Sequence, residues 1–262
     1  MENEKKWDAM AGDYQKTFCL GQSDYSSAMI GFWEKSGMLK EGMRVLDVGC
    51  GVGKYGVSFA RRNCDVTLVD ISSEMLRHAA KNMACFPSPW RVFQCDFNTV
   101  SGNEPVFRDG FDFSISTMSP AVNDRETVQK LSRMTRGWCF LTRFTAWKQP
   151  NRDRLLIRLG LEPGPRMRNL RQDCAELIRA VSSSGYMPHV RYVDYCWCDR
   201  RTPEETADYL LQNYLAEISE PPDRAEILRE AENLCGEDGR FADAVNTKVA
   251  WIYWNGEKGE KQ

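Results

Sequence analysis

Three carboxylates each stand at or near the end of a short apolar run: Asp47 within VLDVG, Asp70 after VTLV and Asp96 after RVFQC. A glycine-dense stretch, Asp47-Val48-Gly49-Cys50-Gly51-Val52-Gly53, lies between the first two. Glycine at every second position lets the backbone turn tightly and lets a ligand approach the main chain. Lys54 to Ala60 then reads as a helix, so its first free N–H groups face back into the turn and favour a polar or anionic group. An acid at the carboxyl end of a second strand is placed to accept both hydroxyls of a ribose, because ligands of open α/β sheets bind at those strand ends. The chemistry this spacing serves is the binding of a nucleoside-containing cofactor.

Two cofactors fit the pattern. Gly51-Val52-Gly53-Lys54-Tyr55-Gly56 is a literal GxGxxG, and Asp70 follows at the distance where a dinucleotide fold keeps its ribose acid, which points to a nicotinamide or flavin. Taken instead from Asp47, the run D-x-G-x-G-x-G resembles motif I of the class I S-adenosylmethionine-dependent methyltransferases. Asp70-Ile71-Ser72-Ser73-Glu74-Met75-Leu76 resembles the D-x-S-x-x-M-L run of the same family, and Asp96-Phe97 its acid after the third strand. Trp7-Asp8-Ala9-Met10-Ala11-Gly12-Asp13-Tyr14 is similar to the family's N-terminal helix.

The resemblance implies S-adenosylmethionine as cofactor and S-adenosylhomocysteine as product. The implied cofactor-binding set is Tyr14, Asp47, Gly49, Cys50, Gly51, Gly53, Asp70, Ile71, Met75, Asp96, Phe97 and Thr117. In the family Tyr14 would reach the methionine end, Ile71 and Met75 would flank the adenine, and the Asp96 carboxylate would accept the adenine amino group. The strand end at Thr117 would face the reactive part of the cofactor, which makes Met118, Ser119, Arg143 and Trp147 the substrate-side candidates. Neither His78 nor His189 is placed to act as a base, so no catalytic residue is named. No metal site is expected.

The elements that must position these groups follow from periodicity. Val45, Leu46 and Val48 suit a strand buried on both faces. Further strands are expected at Val66–Asp70, Trp90–Cys95, Phe111–Thr117 and Trp138–Phe144, then at His189–Cys198 and Lys248–Trp254. Helices precede the first strand from residue 3 to 36, and others run over 74–83, from 123 or 124 to near Arg136, and over 169–184. Thr202, Pro203 and Glu205 mark a helix start that runs to about Ile218, and Pro221-Pro222 another that ends near Gly236. The expected architecture is an α/β, doubly wound, seven-stranded and mostly parallel sheet. The family implies the order 3-2-1-4-5-7-6 with the last strand antiparallel. Residues 1–36 form an N-terminal cap, 37–202 and 246–262 the core, and 203–245 a helical insert that serves as lid or substrate wall.

Composition excludes little but sets the class. The 262 residues carry a formal net charge of −2, so no global field draws the chain to nucleic acid or an anionic membrane. No apolar run is long enough to span a bilayer, and MENEKKWDAM lacks the apolar core of a signal peptide. The 10 cysteines contain no CxxC pair and read as reduced thiols of a cytoplasmic protein. A basic stretch runs through Arg133, Arg136, Arg143, Lys148, Arg152, Arg154, Arg158, Arg166, Arg168 and Arg171. It serves an anionic substrate or RNA, or is solvated charge; lacking a recognisable RNA-binding module, it leaves a small-molecule acceptor favoured over RNA. A NAD(P)-dependent oxidoreductase and a cofactor-binding regulator without activity are the alternatives.

Overall fold

The apolar runs become the inner strands of one sheet. In the computed structural model, which describes residues 2–19, 25–163, 170–215 and 218–257, these are β1 (Arg44–Val48), β2 (Asp65–Asp70), β3 (Trp90–Gln94), β4 (Phe111–Thr117) and β5 (Thr135–Lys148). β1 pairs in parallel with β2 on one side and β4 on the other, and Val45, Leu46 and Val48 are fully buried. β6 (His189–Arg201) and β7 (Phe241–Asn255) complete the order β3-β2-β1-β4-β5-β7-β6, with β7 antiparallel. The order reverses direction beside β1 and β4, so the carboxyl ends of these two strands flank the switch point where ligands of such sheets bind.

The helices are α1 (Glu2–Cys19), α2 (Tyr25–Lys35), α3 (Lys54–Ala60), α4 (Ser73–Met83), α5 (Arg125–Arg133), α6 (Pro150–Arg158), α7 (Leu170–Ser183), α8 (Pro203–Asn213) and α9 (Arg224–Glu232). Their starts carry the expected chemistry. The Ser72 hydroxyl accepts the Met75 N–H at 3.0 Å, and Thr202 with Glu205 forms a reciprocal capping box. Asp124 caps α5 by accepting the Thr127 N–H at 2.8 Å.

The chain packs as two units. One comprises residues 1–143, 172–192 and 250–262; the other comprises 144–171 and 193–249. In the first, Trp33 of α2 stacks on Phe59 and meets Phe113 and Phe140 edge-on, filling one face of the sheet. The opposite face joins Leu46, Val48 and Leu141 to Val128, Leu131, Leu177 and Val181 of α5 and α7. In the second unit Leu155 and Leu156 of α6 pack with Ala207 and Leu210 of α8, Ile227 and Ala231 of α9, and Phe241.

Several boundaries differ from those the sequence suggests. α5 stops at Arg133, short of Arg136, because the chain enters β5 at Thr135. β5 runs on to Lys148, and Pro150 then starts α6, a helix hidden in the basic stretch. α8 ends at Asn213, before Ile218, and α9 starts at Arg224 behind an Asp223 cap. β7 begins at Phe241, ahead of Lys248, because Phe241, Asp243, Val245, Thr247 and Val249 are buried in strict alternation. Residues 241–245, given to the helical insert on sequence, are therefore strand. Asn169, Arg166 and Arg168 lie outside the described residues.

Candidate functional site

The glycine loop joins β1 to α3 and is shaped by its lack of side chains. Gly49, Gly51 and Gly53 all have positive φ. A Cβ on Gly49 would lie 1.9 Å from Ser119 Oγ, so the loop after β4 presses directly on this turn. A Cβ on Gly51 would meet only Met75 Sδ, at 3.9 Å, and the backbone there is open to a ligand. The Gly49 and Cys50 N–H groups both donate to the Val69 carbonyl, which ties the loop to the end of β2.

The three acids at the strand ends differ sharply in environment. Asp47 is fully buried, and neither carboxylate oxygen has a hydrogen-bond partner among the described residues. Burial, and then the charge of Asp70, pushes its pKa up to about 8. Asp70 is also buried, but its oxygens are engaged: Oδ2 accepts the Gly51 N–H and Oδ1 the Ser72 N–H, each at 2.9 Å. Desolvation still raises its pKa, against the backbone bonds from Ser72, Gly51 and Ile71 and with Asp8 adding to the rise. Asp96 holds its own turn, accepting from the Asn98 N–H and the Asn98 side-chain amide. Phe97 is buried in the core with its ring under Lys130 Nζ, which also donates to the Phe97 carbonyl at 2.8 Å. Cys50 is buried and its thiol is pushed up, mainly by desolvation.

The ends of β4 and β5 form the adjoining wall. Thr117 is half-buried, and Met118 after it adopts a left-handed φ of 51°. That conformation is uncommon for a non-glycine residue; it is held by a bond from the Met118 N–H to Thr142 Oγ1 at 2.9 Å. Arg143, half-buried, donates from Nη1 to the Thr142 carbonyl at 2.7 Å and from Nη2 to the Val122 carbonyl. Burial lowers its pKa to about 10. Trp147 belongs to the second unit. There it packs on Phe144 and Trp197 and donates to Gln149 Oε1 at 2.8 Å.

α1 lies over the glycine loop and the start of α4. Trp7, Met10, Ala11 and Phe18 pack with Val52 and Met75. Tyr14 sits on this helix with its ring edge on Trp7, but it is 44% exposed. Ile71 is half-buried, and its carbonyl accepts from Gln94. Two residues not singled out on sequence matter here. Asp8 accepts the Ser72 hydroxyl at 2.6 Å and the Glu74 N–H at 3.2 Å, so it adds a second acid to the start of α4. Thr142 props the strained Met118. Asp8 falls inside the WDxxAxxY run, which is the only signal that could have marked it.

Asp47 tests the cofactor. A buried carboxylate with two unmatched oxygens is costly unless a donor meets it. The α-ammonium of S-adenosylmethionine supplies N–H donors and the opposite charge. The diphosphate of a dinucleotide, laid over the same loop, would bring like charge toward Asp47 and Asp70.

Comparison with known proteins bears on the domain and the fold. Residues 45–137 match a family described as a methyltransferase domain. A protein of Methanocaldococcus jannaschii, named as a candidate ribosomal RNA large subunit methyltransferase, is 31% identical over 120 residues, which are 45% of this chain and 30% of that protein. The match thus spans less than a third of that relative's length. A candidate sarcosine dimethylglycine methyltransferase from Galdieria sulphuraria superimposes with a TM-score of 0.50 at 15% identity, covering 88% of this chain and 85% of the other. The YcgJ protein of Bacillus subtilis gives a TM-score of 0.50 at 18% identity over 87% of this chain and 98% of its own. At such identity the likeness is one of fold, the class I methyltransferase sheet with its helices. Residues 45–137 thus match a methyltransferase domain, set in a sheet-and-helix fold shared with these structures.

Proposed function

We propose that this protein transfers the methyl group of S-adenosylmethionine to a small-molecule acceptor. The observation that carries the assignment is Asp47, buried with both oxygens unmatched beneath a glycine loop that is open at Gly51. When bound, the cofactor supplies a methyl group already activated by its sulfonium. Asp47 receives the ammonium and fixes the methionine end. Asp70 holds the Gly51 and Ser72 N–H groups, with Ile71 N–H also acting on it, and its remaining acceptor capacity serves the ribose hydroxyls. Asp96, Ile71 and Met75 form the adenine side. The protein's task is then to align the acceptor in line with the bond to be broken and to keep water out.

A small acceptor is favoured because, among the described residues, several cations of the basic stretch are already engaged within the protein. Arg152 is buried on Asp153, Arg158 pairs with Glu230 at 2.6 Å, and Arg136 donates to the Asp109 carbonyl. An RNA site tracks phosphates with free guanidinium and ammonium groups.

Calorimetry with S-adenosylhomocysteine and with NAD tests the cofactor. The expected result is binding of the first alone; tight NAD binding with no response to S-adenosylhomocysteine refutes the assignment. Labelled S-adenosylmethionine with a metabolite extract and with total RNA then separates the two acceptor classes, and label in RNA alone refutes the small-molecule assignment.

A further inference from the structure

Arg143 differs from Arg152 and Arg158 of the same stretch in what surrounds it. Arg152 and Arg158 each have a carboxylate partner. The described hydrogen-bond partners of Arg143 are neutral, the carbonyls of Thr142 and Val122. The groups that act on it through space are Cys174 and Asp173, on the first turns of α7, and no ion pair forms with either among the described residues. A guanidinium offers five N–H donors in a planar fork suited to a carboxylate or phosphate. Two carbonyl contacts leave part of that fork for another acceptor. A half-buried cation whose described partners are neutral is favoured by an anion that meets the rest of its fork.

Its position is equally specific. Val122, which Arg143 holds, closes the loop that begins at Met118 and Ser119. Ser119 is the residue that abuts Gly49 of the cofactor loop. Thr142, the preceding residue of β5, fixes Met118. The Arg143 side chain is thus bonded to the strand-end loop that presses on the cofactor turn. We propose that Arg143 is the anchor for an oxyanion of the methyl acceptor, so that the acceptor is a small acid bearing a carboxylate or a phosphate. This rests on the methyltransferase assignment above. Arg143 as a plain clamp on the Val122 loop is the competing explanation.

The two differ in what they discriminate. The probes are acids paired with partners that lack the anion: glycine with glycinamide, salicylate with salicylamide, and phosphoethanolamine with ethanolamine. Each is offered to the enzyme with labelled S-adenosylmethionine. At least one acid should be methylated with a kcat/KM about 10- to 100-fold above that of its neutral partner, the range for a charge-assisted bond. Carboxylate and phosphate pairs show which oxyanion is taken. At saturating S-adenosylmethionine, R143M should abolish that preference while turnover of the neutral partner is kept, and R143K should restore part of it. Equal or better turnover of the neutral partners overturns the proposal. So does R143M lowering acid and neutral turnover alike, which is the signature of a clamp, and so does methylation of RNA with none of the acids taken. If none of the six probes turns over, the Arg143 Nε–H resonance of the S-adenosylhomocysteine complex decides: a shift on adding the acids supports the anchor, and its absence overturns it. Failure of S-adenosylhomocysteine to bind at all refutes the methyltransferase assignment instead.

Discussion

Replacing Asp47 by Asn should make the protein more stable and its cofactor site worse. The carboxyl titrates at about 8 in the folded chain against a reference value of 3.8, because it is buried and faces Asp70. Its folded pKa is raised, so between these two values the native state holds a proton that the unfolded state has released. Stability therefore falls as pH rises, by about 1.4 kcal/mol per pH unit from this group. Asparagine has the same shape and carries no such proton. Near the unfolded pKa the two proteins should be close in stability, since a protonated carboxyl and an amide leave similar polar atoms unmatched. From about pH 5 to about pH 7 the variant should gain up to about 2.7 kcal/mol on the wild type, and about 1–2 kcal/mol once water entry and relaxation are allowed for. Asp70 and Asp243 also have raised pKa values and contribute a similar slope to both proteins. Binding moves the other way: losing a charge-assisted partner for the ammonium should weaken S-adenosylhomocysteine by about 1.5–3 kcal/mol, tenfold or more. Denaturant unfolding at the two pH values and calorimetry at the higher one measure both effects. Equal pH slopes in the two proteins, or unchanged affinity in the variant, would refute the account of Asp47.

Asp8→Ala removes the acceptor for the Ser72 hydroxyl and the Glu74 N–H. It should cost about 1–2 kcal/mol in denaturant unfolding, as loss of a helix cap does, and should speed proteolysis within α1; an unchanged cleavage rate there would show that the apolar contacts of Trp7 and Met10 hold the helix alone. Thr142→Val keeps the volume but leaves the Met118 N–H without its acceptor. A loss of about 1–3 kcal/mol is expected, together with weaker S-adenosylhomocysteine binding through the Ser119 contact on Gly49, and full stability in this variant would mean that the left-handed Met118 is held by other contacts.

What could be read from the sequence is what neighbouring residues dictate. The glycine loop, the Ser72 and Thr202 caps and the inner strands all follow from local conformation or from a doubly buried apolar run. The end of β5, Thr145-Ala146-Trp147-Lys148, and the start of β7 carry no clean polar–apolar alternation to mark them as strand. Thr247 and Asp243 look like surface positions until the inward row Phe241, Val245 and Val249 is seen. α6 was hidden among arginines, since its core contribution is two adjacent leucines, Leu155 and Leu156, whose partners lie more than fifty residues ahead in α8 and α9. The site shows the same divide. Asp47 and Asp70 look alike in sequence, two acids at strand ends. Only in three dimensions does one have both oxygens engaged by backbone N–H groups and the other none. Arg143 stands out in the sequence only by its place near a strand end; what surrounds its guanidinium does not. Arg158 finds Glu230, 72 residues away, while Arg143 finds two carbonyls. A charge becomes a binding group through the counter-ion it lacks, and that lack is a property of distances between remote residues.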